Sequence, residues 1–299
     1  MSKVLVLGST GMLGHVMTRV LRNEGLEVVG ASRRGSRPES KGPEIQFDVK
    51  NFQKIEEFIS KEKITYVINC VGMIKQVIDE NSTTSRLNAA EINTDFPIYL
   101  NSLAHAFDFR LIQIGTDCVF SGETGAYSET SNHSPVDLYG RTKSLGEAVG
   151  SNSLILRTSI IGPEINSVNS LLEWFLSTPK NSRVNGYLNH IWNGLTTLHF
   201  SKLVYGIISA DDFTGGLFHI VPQDRCSKYE LLGIIRESFS RNDIGIDPVN
   251  SHESIDRTLI TDHHDFNRLI WKNCGYNEAP TISVMVKELS EWILREREE

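Results

Sequence analysis

Tyr139 and Lys143 stand in the stretch Leu138-Tyr139-Gly140-Arg141-Thr142-Lys143. Their i, i+4 spacing places both side chains on one helix face. An ammonium beside a phenol favours the phenolate and draws its pKa from about 10 toward neutrality. Such a phenol is a general acid or base at cellular pH. A Tyr–Lys pair alone is common on helix surfaces. Thr116 strengthens the reading, because it follows the strand-like run Leu111-Ile112-Gln113-Ile114 and carries a hydroxyl that can orient a substrate oxygen. Thr116, Tyr139 and Lys143 are the expected catalytic set.

These groups need a partner that supplies or accepts hydride, and the start of the chain offers a seat for one. Gly8-Ser9-Thr10-Gly11-Met12-Leu13-Gly14 follows the apolar run Val4-Leu5-Val6-Leu7 and opens a helical pattern of Leu13, Val16, Met17, Val20 and Leu21. Glycines let such a turn be tight and let backbone approach a pyrophosphate, which the helix N-terminus then faces. Expected cofactor contacts are Gly8, Thr10, Gly11, Met12, Leu13 and Gly14. Further contacts are expected where later strands end: Ser32, Arg33 and Arg34; then Asp48 and Val49; then Cys70, Val71 and Gly72; and finally Tyr139 and Lys143 themselves. The second strand ends in Ala31-Ser32-Arg33-Arg34 without an acid. An acid there would hold the ribose 2′-hydroxyl of NAD, whereas arginine accommodates a 2′-phosphate. NADP(H) is favoured and NAD(H) stays open. Asp48 either accepts from the adenine amino group or caps the following helix.

Strand-like and helix-like runs alternate along the first half. Strands are expected at Val4–Leu7, Val28–Ala31, Ile45–Asp48, Tyr66–Val71, Leu111–Ile114 and Leu154–Leu156. Helices are expected at Met12–Glu24, Phe52–Ile59, Asn88–Phe107 with a kink or restart at Pro97, and Tyr139–Val149. This is the βαβ signature of a doubly wound, Rossmann-type parallel sheet. The second half is less regular. Helices are expected at Ser170–Leu176, Phe200–Ile208, Tyr229–Phe239 and Ile282–Arg297, and a late strand at Leu217–Val221. The expected fold is α/β, with a dinucleotide-binding domain over residues 1–160. A smaller, interwoven C-terminal α/β lobe over 161–299 would bind mainly substrate, with a segment near 190–221 returning to the first domain.

The 299 residues carry a net charge of −7, which speaks against a nucleic-acid partner. No apolar run approaches the length of a membrane span, and no signal peptide is expected before the first strand. Cys70, Cys118, Cys226 and Cys274 form no CxxC pair, so no zinc or redox site is expected. His263-His264, between Asp262 and Asp265, lacks a second cluster and is not read as a metal site. A cytoplasmic protein is expected, with a homodimer open.

The chain resembles the extended short-chain dehydrogenase/reductases, and most of all the dTDP-4-dehydrorhamnose reductases and related nucleotide-sugar reductases. The matching pieces are Gly8 to Gly14, Gly115-Thr116-Asp117-Cys118-Val119-Phe120-Ser121-Gly122, Tyr139 to Lys143 with Gly146-Glu147, and Leu156-Arg157-Thr158-Ser159. The resemblance implies that Tyr139 protonates a substrate carbonyl oxygen, that Lys143 also holds ribose hydroxyls, and that Asp117 orders the site. It implies a nucleotide-sugar substrate, a keto group reduced on an activated deoxyhexose, and a role in polysaccharide or glycoconjugate synthesis. Asp117, Val119, Asn193 and Arg257 are expected on the substrate side, Arg257 through a bidentate contact to a diphosphate or else as a surface ion pair. The departures are Ile160, Gly194-Leu195-Thr196-Thr197 and Cys118, all on the substrate side. Reductase chemistry therefore carries over better than the particular sugar. The alternatives are an epimerase or dehydratase, which Thr116-Asp117-Cys118 disfavours, and a non-catalytic regulatory subunit of the same fold.

Overall fold

The computed structural model describes residues 2–35, 42–165 and 167–298, with side chains up to Glu296. Seven strands form the central parallel sheet: β1 (Lys3–Leu7), β2 (Glu27–Ser32), β3 (Glu44–Gln46), β4 (Tyr66–Asn69), β5 (Arg110–Ile114), β6 (Ser153–Arg157) and β11 (Gly216–His219). Their order is β11-β6-β5-β4-β1-β2-β3. The order reverses after β1, and the crevice beyond the carboxyl ends at that point is where open α/β sheets bind ligands. In register, Leu7 lies beside Ala31 of β2 and Asn69 of β4, so the glycine turn and the ends of three strands share one edge.

β1 is apolar on both faces because helices cover both. Val4 and Val6 belong to one core with α1 (Met12–Asn23), α7 (Thr197–Ala210), α9 (His264–Asn273) and α10 (Ile282–Glu298). Leu5 and Leu7 point to the other core, with α2 (Phe52–Glu62) and α4 (Phe96–Ala106). The alternation is the period-2 geometry of a strand.

Three helical stretches differ from the sequence expectation. The long helix is assembled from α3 (Thr83–Ala90), a π-helical turn at Glu91–Asp95, and α4, which has Pro97 in its first turn. A widened turn just before a proline absorbs the missing N–H and the ring clash. The helix bearing Tyr139 is shorter, α5 (Leu138–Leu145). It stops where a Cβ on Gly146 would stand 2.0 Å from the Asn93 carbonyl oxygen, so the chain passes the π-turn with no room to continue regularly. The helix at His264–Asn273 was not anticipated. It buries Ile270 and Trp271 on one side and leaves Asp265 and Arg268 outside.

The remaining strands are short: β7 (Ile160–Ile161), β8 (Arg183–Tyr187), β9 (His190–Trp192), β10 (Leu195–Thr196), β12 (Cys226–Ser227), β13 (Gly245–Val249) and β14 (Ile255–Asp256). With α6 (Leu171–Leu176) and α8 (Lys228–Ser238) they build the material opposite the sheet edge. β9 lies between β12 and β14, and β8 pairs with β13. No helix among the described residues is long and apolar enough to cross a membrane.

Candidate active site

The glycine turn has three distinct reasons for its three glycines. Gly8 adopts φ +79°, and its N–H donates to Ala31 O at 2.8 Å, which ties the turn to β2. A Cβ on Gly14 would lie 2.1 Å from the Gly8 carbonyl oxygen, so helix and turn touch through backbone. A Cβ on Gly11 would meet only that same oxygen, at 3.4 Å, so this position leaves its outer side open. Gly11 is also the N-cap of α1 and supplies no side-chain cap. The first-turn N–H groups therefore keep their preference for an anion. These features fit a pyrophosphate.

Thr10, Gly11, Met12 and Leu13 line a cleft of about 560 Å³ together with Cys70, Val71 and Gly72 from the end of β4. The same cleft is lined by Thr116, Asp117, Cys118, Tyr139 and Lys143. The glycine turn and the three expected catalytic groups thus share one space. Its far wall holds Thr158 to Ile161, Trp192 and Lys228.

Local bonds hold each reactive side chain. Thr116 is nearly buried; its Oγ1 accepts from the Cys118 N–H at 3.2 Å and donates to Asp117 Oδ1 at 3.3 Å. The N-cap of α5 is Asp137, whose carboxylate accepts from the Gly140 N–H at 2.8 Å. Asn93, in the π-turn, clamps the other side of α5. Its amide accepts from Met73 N–H at 2.8 Å, donates to Met73 O at 2.9 Å, and reaches Thr142 Oγ1 at 3.1 Å. A polar ladder lies below: Asn69 Nδ2 donates to Gln113 Oε1 at 3.2 Å, and Gln113 Nε2 donates to Gly146 O at 3.1 Å.

The electrostatics correct one expectation. Burial pushes the Tyr139 phenol above its ordinary value; the nearby Cys118 thiol and the carboxylates of Asp117 and Asp137 push the same way, and a hydrogen bond with Thr116 opposes them. The Lys143 ammonium donates to Ile114 O at 3.0 Å, and burial lowers its own pKa against the pull of Glu147 and Cys70. Tyr139 is therefore held in its neutral, proton-donating form, the form that suits delivery of a proton to a carbonyl oxygen. The cysteines are held protonated as well, since burial pushes the Cys70 and Cys118 thiols up to about 12.

Other expected contacts divide. Arg33 and Arg34 are exposed at the end of β2, and Gln46 Nε2 donates to Arg33 O at 3.1 Å. Ser32 is buried, with Oγ 3.4 Å from Gly35 O. Asp48 is exposed and its Oδ1 accepts from the Lys50 N–H at 3.0 Å; Asn51, not Asp48, stands at the N-cap of α2. Val49 is buried in the core beside Phe47 and Phe96. Arg257 donates from Nε to Phe120 O at 3.0 Å, and its charge bears on Asp117. Two substrate-side expectations are corrected. Val119 is wholly buried with Phe120, Tyr127 and Leu259, so it has no surface to offer a sugar. Asn193 spends its amide on the Leu259 backbone, donating to O at 2.7 Å and accepting from N–H at 2.9 Å, and it does not line the cleft. Sequence reasoning missed Asn93 and Lys228.

Comparison with known proteins agrees with this geometry. The family model described as RmlD substrate binding domain matches residues 2–258. The probable low-salt glycan biosynthesis reductase Agl14 of Haloferax volcanii is 31% identical over 181 residues, which span 58% of this chain and 59% of that protein. The methionine adenosyltransferase 2 subunit beta of Pongo abelii is 25% identical over 249 residues, 80% of this chain and 72% of that one. Among solved structures, the dTDP-4-dehydrorhamnose reductase of Bacillus anthracis in complex with NADP superposes with a TM-score of 0.76 at 18% identity, covering 97% of this chain and 99% of that one. Glycine turn, threonine, tyrosine and lysine around one cleft, on this sheet and under a family model spanning most of the sequence, place the chain in the RmlD substrate binding domain family.

Proposed function

We propose that the chain is a nucleotide-sugar reductase that reduces a keto group on an activated deoxyhexose with NADP(H), in the synthesis of a polysaccharide or glycoconjugate. The carrying observation is the single cleft in which the glycine turn meets Thr116, Tyr139 and Lys143. The nicotinamide, when bound, supplies the hydride. Gly11 and the first turn of α1 hold the pyrophosphate, and Arg33 and Arg34 take the 2′-phosphate. Thr116 orients the carbonyl oxygen, and neutral Tyr139 gives it a proton. Lys143, fixed on Ile114 O, holds the ribose hydroxyls on the same side. Four free cysteines fit a reducing, cytoplasmic setting.

The test is NADPH consumption against a panel of nucleotide 4-keto-sugars, for wild type and Tyr139→Phe. The variant should lose at least about 100-fold in turnover, the usual worth of a positioned general acid, while binding NADPH within about twofold of wild type. Wild-type-like turnover by the variant would remove Tyr139 from its role. A wild type that binds NADPH yet turns over no keto-sugar of the panel would favour the regulatory reading, which the similarity to a methionine adenosyltransferase subunit keeps in view.

A further inference from the structure

Lys228 enters the cleft from the opposite lobe, about 110 residues after Thr116 in sequence. Its placement is rigid. β12 pairs with β9, setting Cys226 beside Trp192, and Ser227 caps α8 through a capping box with Glu230. Lys228 is the next residue, and its Nζ stands 5.3 Å from the centre of the Trp192 ring. A cation in the first turn of a helix opposes the helix dipole, so helix stability does not account for it. Burial lowers the Lys228 pKa, and the Asp117 carboxylate is the strongest influence in the other direction, followed by Cys226 and Cys118. Yet the ammonium makes no hydrogen bond and no ion pair among the described residues. Three donors thus face a cleft shared with Thr116 and Tyr139 without an acceptor.

We propose that Lys228 is a specificity-determining residue that binds an anionic oxygen group of the substrate close to the reacting sugar ring. The group is either the diphosphate bridge or a carboxylate carried by the ring. Asp117 does not meet this need: it bonds instead to Thr116 and Cys118, and its own pKa is raised by burial. A bound anion would give an acceptor to an ammonium that otherwise has an aromatic face on one side and the cleft on the other. This inference rests on the nucleotide-sugar reading above, and the test separates the two.

Calorimetric titration of wild type, Lys228→Gln and Lys228→Arg, each with NADP bound, would use dTDP, dTDP-glucose, UDP, UDP-glucose and UDP-glucuronic acid. If the diphosphate is the anion, Lys228→Gln weakens all the ligands that wild type binds by about tenfold. If a ring carboxylate is the anion, only UDP-glucuronic acid weakens by that factor. In both cases Lys228→Arg recovers most of the loss, and NADP affinity is unchanged. Wild-type binding that Lys228→Gln leaves intact would overturn the role of Lys228 alone. Wild type that binds none of the five ligands would overturn the nucleotide-sugar reading and this proposal with it.

Discussion

His219 gives the fold a calculable dependence on acid. It ends β11, is fully buried, and receives Arg157 Nη1 on its Nε2 at 2.6 Å. Its Nδ1 lies 2.7 Å from Ile260 O. A carbonyl oxygen only accepts, so Nδ1 carries the proton and Nε2 must accept from the guanidinium. Protonation would set two donors and two positive charges against each other. Burial is the largest cause of the lowered pKa, Arg157 adds to it, and Glu129 and Glu147 oppose it, leaving His219 at about 4 against 6.5 for a free histidine. A depressed folded-state pKa means that the unfolded chain binds the extra proton first. The stabilisation is complete above about pH 6.5, falls as pH drops, and is gone below about pH 4. At about 1.4 kcal/mol per decade of proton affinity, that gap is worth about 3 kcal/mol, a large share of a typical folding free energy of roughly 5–15 kcal/mol. Urea unfolding of wild type and His219→Gln from pH 8 to pH 4 would measure it. The variant keeps an acceptor for Arg157 but cannot titrate, so the difference in stability between the two should shrink or reverse by about 3 kcal/mol across this range. Parallel curves would refute the assigned tautomer and its energetic consequence.

Three further outcomes concern the cofactor side. Replacing both Arg33 and Arg34 by alanine should weaken NADPH by at least about tenfold, since a charge-assisted hydrogen bond is worth about 1.5–3 kcal/mol, and should leave NADH within about twofold; equal losses in a fluorescence titration would remove the 2′-phosphate argument. Gly14→Ala would press a methyl within 2.1 Å of backbone oxygen and should cost about 1–3 kcal/mol of stability along with cofactor binding. Gly11→Ala meets nothing closer than 3.4 Å, so it should unfold near the wild-type midpoint while still losing NADPH. Thermal melts paired with binding isotherms separate these two glycines.

The cofactor side was legible in the sequence because its determinants are local. An all-apolar β1 that stops at Gly8, a helix that starts four residues later, and glycines at both ends of the turn are contiguous, and backbone sterics alone relate them. The same holds for Thr116 at the end of β5 and for Tyr139 behind its Asp137 cap. Asn93 was not legible for the opposite reason. It works only because a π-turn places its amide between Met73 and Thr142, which lie 20 and 49 residues away and meet it by tertiary packing. Val119 was misread because, two residues after Asp117, it turns into a core with Phe120, Tyr127 and Leu259, and Asn193 because its amide is spent on the Leu259 backbone 66 residues away; no local spacing reveals either contact.

The sign of the Tyr139 shift illustrates the same limit at the level of chemistry. Helical spacing correctly placed a tyrosine and a lysine on one side of α5, but spacing carries no information about which acceptor the ammonium reaches or how much water the phenol loses. Both are properties of the closed wall: Ile114 O captures Lys143, and the neighbourhood of Cys118, Asp117 and Asp137 disfavours a phenolate. For a reductase this is the productive arrangement. A phenol already ionised would have no proton to give the carbonyl oxygen, whereas a buried neutral one releases its proton only when negative charge develops on the substrate oxygen in front of it. The reverse reaction passes through the same transition state, with the phenolate as the form that takes the proton back.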